Sequence, residues 1–297
     1  KLLLHPDDRA RHRNLIYFVP PVVLLGLFGL GQVSGLKGLY VLYFFGQFFH
    51  TVRQSWGLAQ KYRRQAGGMP WDSARLSEIT LWSVPVWGFL YRCSRRPDEF
   101  LFQDFWLPPV PRAIVYAAGV ASATLWAYWA YTRISALRRG MLPLGHTLYM
   151  LSHLVVYVFG YVVIDELCSG WLLVNIWHNV QYLAFVWIYN RNRYATGIDH
   201  RTPILSWLSQ PGLSRVALYF LTTVALALPI YYLLPQLGLT LDGLVKKVAV
   251  PTAITIGLTL TFHHYIADGI IWKRRNNPGE AAALQAHQPK FLPAAKT

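Results

Sequence analysis

Leu260-Thr261-Phe262-His263-His264-Tyr265-Ile266-Ala267-Asp268-Gly269-Ile270-Ile271-Trp272, followed by Lys273-Arg274-Arg275, is the stretch that decides how this chain is read. It is apolar enough to lie in a bilayer, and it ends on the kind of cationic run that marks a membrane surface. It nevertheless carries two histidines and an aspartate within six residues. On a helix His264 and Asp268 stand at i and i+4 and share a face, and His263 lies about 100° round from His264. Ionisable groups inside a bilayer are costly and face a cavity or a partner. The stretch therefore raises the question of what other apolar runs bring to the same depth.

Such runs recur along the chain. Hydrophobic residues make up 54% of its 297 residues and charged ones only 14%, well below the roughly 25% of a soluble domain. The runs are continuous rather than alternating, which points to membrane helices and away from a β-barrel. The expected fold is an all-α polytopic membrane helix bundle of about eight spans, forming a single domain over 1–275 with a disordered tail over 276–297. The spans run near 15–30, 36–58, 76–91, 114–131, 145–164, 170–189, 216–234 and 248–272. Pro20-Pro21 falls in the first and Pro85 in the third. No cleavable signal peptide is legible.

The net charge of +15 comes from cations clustered just outside these runs. That placement marks topology and contact with anionic lipids, not nucleic acid. With both termini cytoplasmic, eighteen lysines and arginines fall on the inner side and seven on the outer. The expected location is a bacterial cytoplasmic membrane, N-in and C-in. The outer connection over 94–112 interleaves aromatics with acids and reads as a short interfacial helix. Cys93 and Cys168 both fall at outer ends of spans, so two free thiols or one disulfide are open, and no CxxC motif is present.

The topology turns a set of histidines into a geometric expectation. His50, His153, His178 and the His263-His264 pair all lie roughly 12–16 Å from the inner side, at 1.5 Å per residue. His146 sits two turns nearer the cytoplasm than His153, and Glu78 enters the third run near its inner end. Imidazoles with added carboxylate suit transition metals, and the mixture suits non-haem iron. The candidate metal ligands are His50, His146, His153, His178, His263, His264, Asp268 and Glu78. Gln54, Asn179 and Gln181 stand within a turn of a ligand, where catalytic or ligand-orienting groups are needed. His5, His12, His200 and His287 read as solvated.

In this layer the chain resembles the histidine-rich integral-membrane oxygenases, nearest the Brp/Blh-type carotene oxygenases, through its spans and through His50, His153, His178, His263 and His264. The resemblance implies iron, with a di-iron centre suspected, O₂, an electron donor and a lipophilic small-molecule substrate. The chain departs from the HxxxH and HxxHH boxes of membrane desaturases, since only His263-His264 are adjacent. Three alternatives stay open. Mid-membrane histidines also ligate haem b or a pigment in an electron-transfer protein. A polar layer also serves a transporter. Either kind of chain, or this one, is also compatible with an accessory subunit of a membrane complex.

Overall fold

The computed structural model describes residues 5–67, 73–244 and 250–272. The expected disordered tail, His287, Lys1, Lys246, Lys247 and the Lys273-Arg274-Arg275 run lie outside the described residues. The chain is all-α apart from one small hairpin. Four segments are long and apolar enough to cross a membrane: Arg13–Gln65, Arg112–Arg138, Leu144–Val163 and Leu213–Ile230.

Four is fewer than the eight expected, and the difference has physical causes. The first two expected runs fall within one of these segments as two helices that meet at Gly35, whose φ of 66° and ψ of −172° are non-helical. Only glycine adopts that backbone readily. The third, sixth and eighth runs are helices of 22, 27 and 20 residues, long enough to cross, but ionisable and amide side chains lower their hydropathy. In the last of them those residues are His263, His264 and Asp268.

The helices gather into two compact units, Leu36–Val180 and Lys1–Gly35 with Gln181–Thr297. The first unit holds most of α3 (Val19–Gln65), α4 (Ala74–Arg95), α5 (Arg112–Arg138), α6 (Leu144–Val158) continued by a π-helical turn (Phe159–Val163), and the first half of α7 (Leu167–Arg193). α4 is its central member and packs on α5, α6 and the π-helical turn. It starts where the Ser73 hydroxyl accepts the Leu76 N–H at 3.0 Å, a standard N-cap bond. Pro85 sits buried within it. A proline has no N–H to give the carbonyl four residues back, so the Leu81 carbonyl loses its helical donor. His153 Nε2 on α6 lies 3.0 Å from that carbonyl and replaces the missing donor.

At the far end of this unit the π-helical turn and α7 meet through Gly160 and Gly170. A Cβ added at either would collide with backbone oxygen of the other. Buried Arg92 donates to the carbonyls of Gly160 (3.1 Å), Asp165 (2.6 Å) and Ile164, closing the C-terminal end of the π-helical turn. Glu166 accepts the N–H groups of Cys168 and Ser169 at 2.6 Å each and caps α7. Both cysteines are free thiols, and Cys168 Sγ accepts the Leu101 N–H at 3.1 Å.

The outer connection is not the interfacial helix expected. It forms an antiparallel hairpin, β1 (Glu99–Phe100) with β2 (Gln103–Asp104), paired Glu99 to Asp104 and Phe100 to Gln103. Leu101 and Phe102 make the two-residue turn at φ of 51° and 61°, the hand that matches strand twist. The reason is packing. The hairpin buries Phe100 fully against Phe44, Phe105 and Trp171, with ring centroids 5.1–5.4 Å away. That burial outweighs the helical tendency of so short a segment.

The second unit contains α1 (Pro6–Arg11), α2 (Arg13–Tyr17), the start of α3, the second half of α7, α8 (Pro203–Leu208), α9 (Leu213–Leu244) and α10 (Thr252–Ile271). α9 packs on α8 and α10, and its other faces expose Leu221, Val224, Leu226 and Leu228, as a lipid-facing helix does. Leu15, Ala267 and Ile271 form a small core with Val19 and Trp272.

The N-terminal segment corrects one expectation. His5 and His12 are buried, at 2% and 8% exposure, rather than solvated. The cause is a charge cluster that folds α1 inward. Arg193 pairs with Asp8 at 2.6 Å, Arg201 with Asp7 at 3.2 Å, and His5 lies 3.8 Å from Asp199. His200 is exposed, as expected.

Candidate functional site

In the first unit the structure brings His50 of α3 and His178 of α7 together. Both are buried, at 7% and 3% exposure, with ring centroids 5.0 Å apart and planes crossing at 77°. The two helices are tied again one turn away, where the Gln47 amide N–H donates to the Asn175 carbonyl oxygen. Each partner of that pair stands three residues before a histidine, so the two rungs share one register. On the next residue of α3, Thr51 Oγ1 accepts the Tyr157 hydroxyl of α6 at 2.9 Å. Tyr157 stacks on Tyr161 and lies 4.4 Å from the His153 ring. The result is a polar seam from three helices, walled by Tyr149, Tyr157 and Trp177.

Gln54 stands one turn from His50 on α3, at i+4. Its amide oxygen and nitrogen are both buried without a hydrogen-bond partner. A buried amide in that condition costs free energy that a ligand would restore. His153 sits in the same interior at 0% exposure. Because Nε2 serves the Leu81 carbonyl, Nδ1 carries the lone pair in that tautomer, and it too is buried without a partner. The unit therefore offers imidazole nitrogen and amide oxygen. Its described carboxylates are Glu78, Asp98, Glu99, Asp104, Asp165 and Glu166, and none lies on the turns that carry His50, His153 or His178. Glu78 lines a groove of about 370 Å³ along one face of α4, with Arg75, Ile79, Trp82, Ser83 and Val86.

His146 is almost fully buried, with Arg133 and Arg63 as its charged neighbours. Asn179 directly follows His178 but is exposed, since successive helical residues point about 100° apart.

In the second unit the expected pair separates into two roles. His263 Nε2 lies 2.8 Å from the Leu15 carbonyl. That carbonyl belongs to the last turn of the five-residue α2, whose carbonyls have no donor within the helix. His264 instead faces Asp268, Nε2 to Oδ2 at 3.5 Å. Asp268 Oδ1 accepts the Tyr182 hydroxyl at 3.0 Å and the Trp272 indole N–H at 3.3 Å. The Tyr182 ring meets the His264 ring edge-on at 5.2 Å. A carboxylate fixed by two donors and set beside an imidazole orients that ring. Gln181 is half-buried on α7 beside Tyr182.

Sequence reasoning missed Tyr157, Thr51, Gln47 and Tyr182. Gln47 was accessible in principle, because it precedes His50 by the same three residues that separate Asn175 from His178. The tyrosines were hidden among eighteen.

No family model, curated protein or solved structure matches this chain.

Proposed function

We propose that the chain is an integral-membrane, metal-dependent oxidoreductase acting on a lipophilic substrate, with His50 and His178 as the nucleus of the metal site. The observation that carries this reading is the contact of two buried imidazoles from different helices, one turn from a buried amide that no group among the described residues satisfies. Imidazole and amide oxygen suit iron, zinc, copper or nickel. Among these, iron, suspected as a di-iron centre, is favoured by the resemblance stated above. A bound transition metal would supply Lewis acidity or electron transfer to an oxidant such as O₂.

The chain's own residues have definite tasks in this reading. His50 and His178 hold the ion. Gln54 offers its amide oxygen to the ion or its N–H to the substrate. The Gln47–Asn175 bond locks the rotation of α3 against α7 and so fixes the angle between the two rings. Tyr157 holds a hydroxyl proton in the seam, hydrogen-bonded to Thr51. Tyr149, Tyr157 and Trp177 exclude water and present apolar faces to a hydrophobic substrate. In the second unit, Asp268 and Tyr182 hold the His264 ring in place. α4, α7 and α10 join the four apolar segments as membrane spans, which with the two halves of α3 counted separately gives eight, both termini cytoplasmic.

The direct contact of the two rings leaves no room between them for a macrocycle, which favours a bare ion over haem b. The test is metal content and visible spectrum of the purified chain. At least one transition metal per chain is expected, without a Soret band. His50→Ala and His178→Ala should each lose it, whereas His200→Ala should keep it. Equal metal content in all four proteins, or none in the unaltered one, would refute the reading.

A further inference from the structure

His146 stands at the third position of α6 in the first unit, 1% exposed, with both ring nitrogens buried and without a hydrogen-bond partner among the described residues. The hydroxyl of Thr147, the next residue, is in the same condition. Buried polar atoms in folded proteins are mostly satisfied, so three such atoms on adjacent residues are groups that a ligand would satisfy.

The surroundings say which kind of ligand. Among the described residues, the charged groups that act on His146 are Arg133 of α5 and Arg63 of α3. Arg133 is itself 4% exposed. Its guanidinium is held in one orientation by Thr132 Oγ1, at 3.2 Å from both Nε and Nη2, and by the Trp129 ring at 5.2 Å. α6 begins at this point with Pro143 as its N-cap and no side-chain capping bond. Its first-turn N–H groups and the positive end of its dipole therefore add to the field of the two arginines. Gly145 completes the approach: Tyr62 of α3 lies so close that a Cβ there would sit 3.2 Å from its ring.

We propose that His146, Arg133, Arg63 and the first turn of α6 form a binding site for a phosphate group. Two arginines and an uncapped helix N-terminus suit a tetrahedral oxyanion. His146 and Thr147 add donors of the right reach. The same field disfavours a metal cation, so this histidine serves a different ligand from His50 and His178. The phosphate comes either from a lipid headgroup, since the cluster lies where α3 and α5 end and α6 begins, or from free phosphate in the cytoplasm. The site stands independently of any metal at His50 and His178.

The experiment uses the full chain in a neutral maltoside detergent, titrated with inorganic phosphate and separately with dodecyl phosphate, with dodecyltrimethylammonium as the oppositely charged control. Binding is followed by calorimetry and by the shift of the thermal midpoint. Saturable binding of dodecyl phosphate alone assigns the site to a headgroup, and binding of both phosphates assigns it to the free anion; either supports the proposal. Arg133→Gln and His146→Leu should each weaken binding about tenfold or more, as expected for one charge-assisted or buried hydrogen bond. Arg63→Gln supplies the same reading should Arg133→Gln not fold. Binding of neither phosphate, or equal binding to the unaltered chain and the variants, overturns the proposal.

Discussion

The Pro85–Leu81–His153 relay makes a prediction that separates a structural histidine from a catalytic one. His153 Nε2 serves the carbonyl that Pro85 leaves open. Replacing His153 by leucine removes that donor inside a fully buried site. An unsatisfied buried carbonyl costs about 1–3 kcal/mol, and membrane hydrogen bonds measured by mutant cycles fall at the low end of such values. Pro85→Ala restores an N–H at position 85, which closes the ordinary helical bond to Leu81. In that background His153→Leu should cost about 1–2 kcal/mol less than in the unaltered chain. The cycle cancels whatever Pro85→Ala does through helix propensity or packing. The assay is reversible unfolding of the four proteins in mixed maltoside and dodecyl sulfate micelles, followed by tryptophan fluorescence. Additive effects, with coupling within about 0.3 kcal/mol of zero, would refute the claim that the histidine replaces the missing donor.

Two further outcomes follow from other parts of the chain. Gly170→Ala places a Cβ against the Gly160 carbonyl oxygen, whereas Gly57→Ala meets nothing within 4 Å; the first should lower the unfolding free energy by about 1–3 kcal/mol or more, and the second should raise it slightly. Burial, with Arg193 adding to it, holds the His5 imidazole below its ordinary value of 6.5 against the opposing pull of Asp8 and Asp7. The neutral ring is therefore favoured on folding, so its contribution is complete above pH 6.5 and is lost as the pH falls below that value towards the folded one. Between about pH 7.5 and about pH 5 the unaltered chain should lose more thermal stability than His5→Asn, and parallel losses would contradict this account.

The helices were legible because apolar runs of this length admit few alternatives in a membrane. The joint at Gly35 was legible only as a loop, since nothing in residues 31–38 shows that one glycine at positive φ makes the change of direction. The hairpin at Glu99–Asp104 was hidden for a related reason. Its conformation is set by Phe44 and Trp171, which are distant in sequence and bury Phe100. Burial of His5 and His12 likewise depends on Arg193 and Arg201, nearly two hundred residues away. The coincidence of His50 and His178 was legible as a depth, but the ring contact itself depends on the rotation of each helix, which the Gln47–Asn175 bond fixes.

Depth alone does not give a histidine its role, and the structure sorts the layer by what each ring touches. His153 and His263 each meet a backbone carbonyl that local helix geometry leaves without a donor, one behind a proline and one in the last turn of a very short helix. Such carbonyls are costly in an apolar interior, and imidazole is a compact side chain that reaches them across a helix interface. These two positions would hold a histidine whether or not the chain bound a metal. The His50–His178 contact is of another kind, two imidazoles from different helices buried edge to face, with the Gln54 amide one turn along α3. Packing an apolar ring at either position would satisfy shape with less desolvation. The metal reading proposed above therefore rests on this pair and not on the layer as a whole.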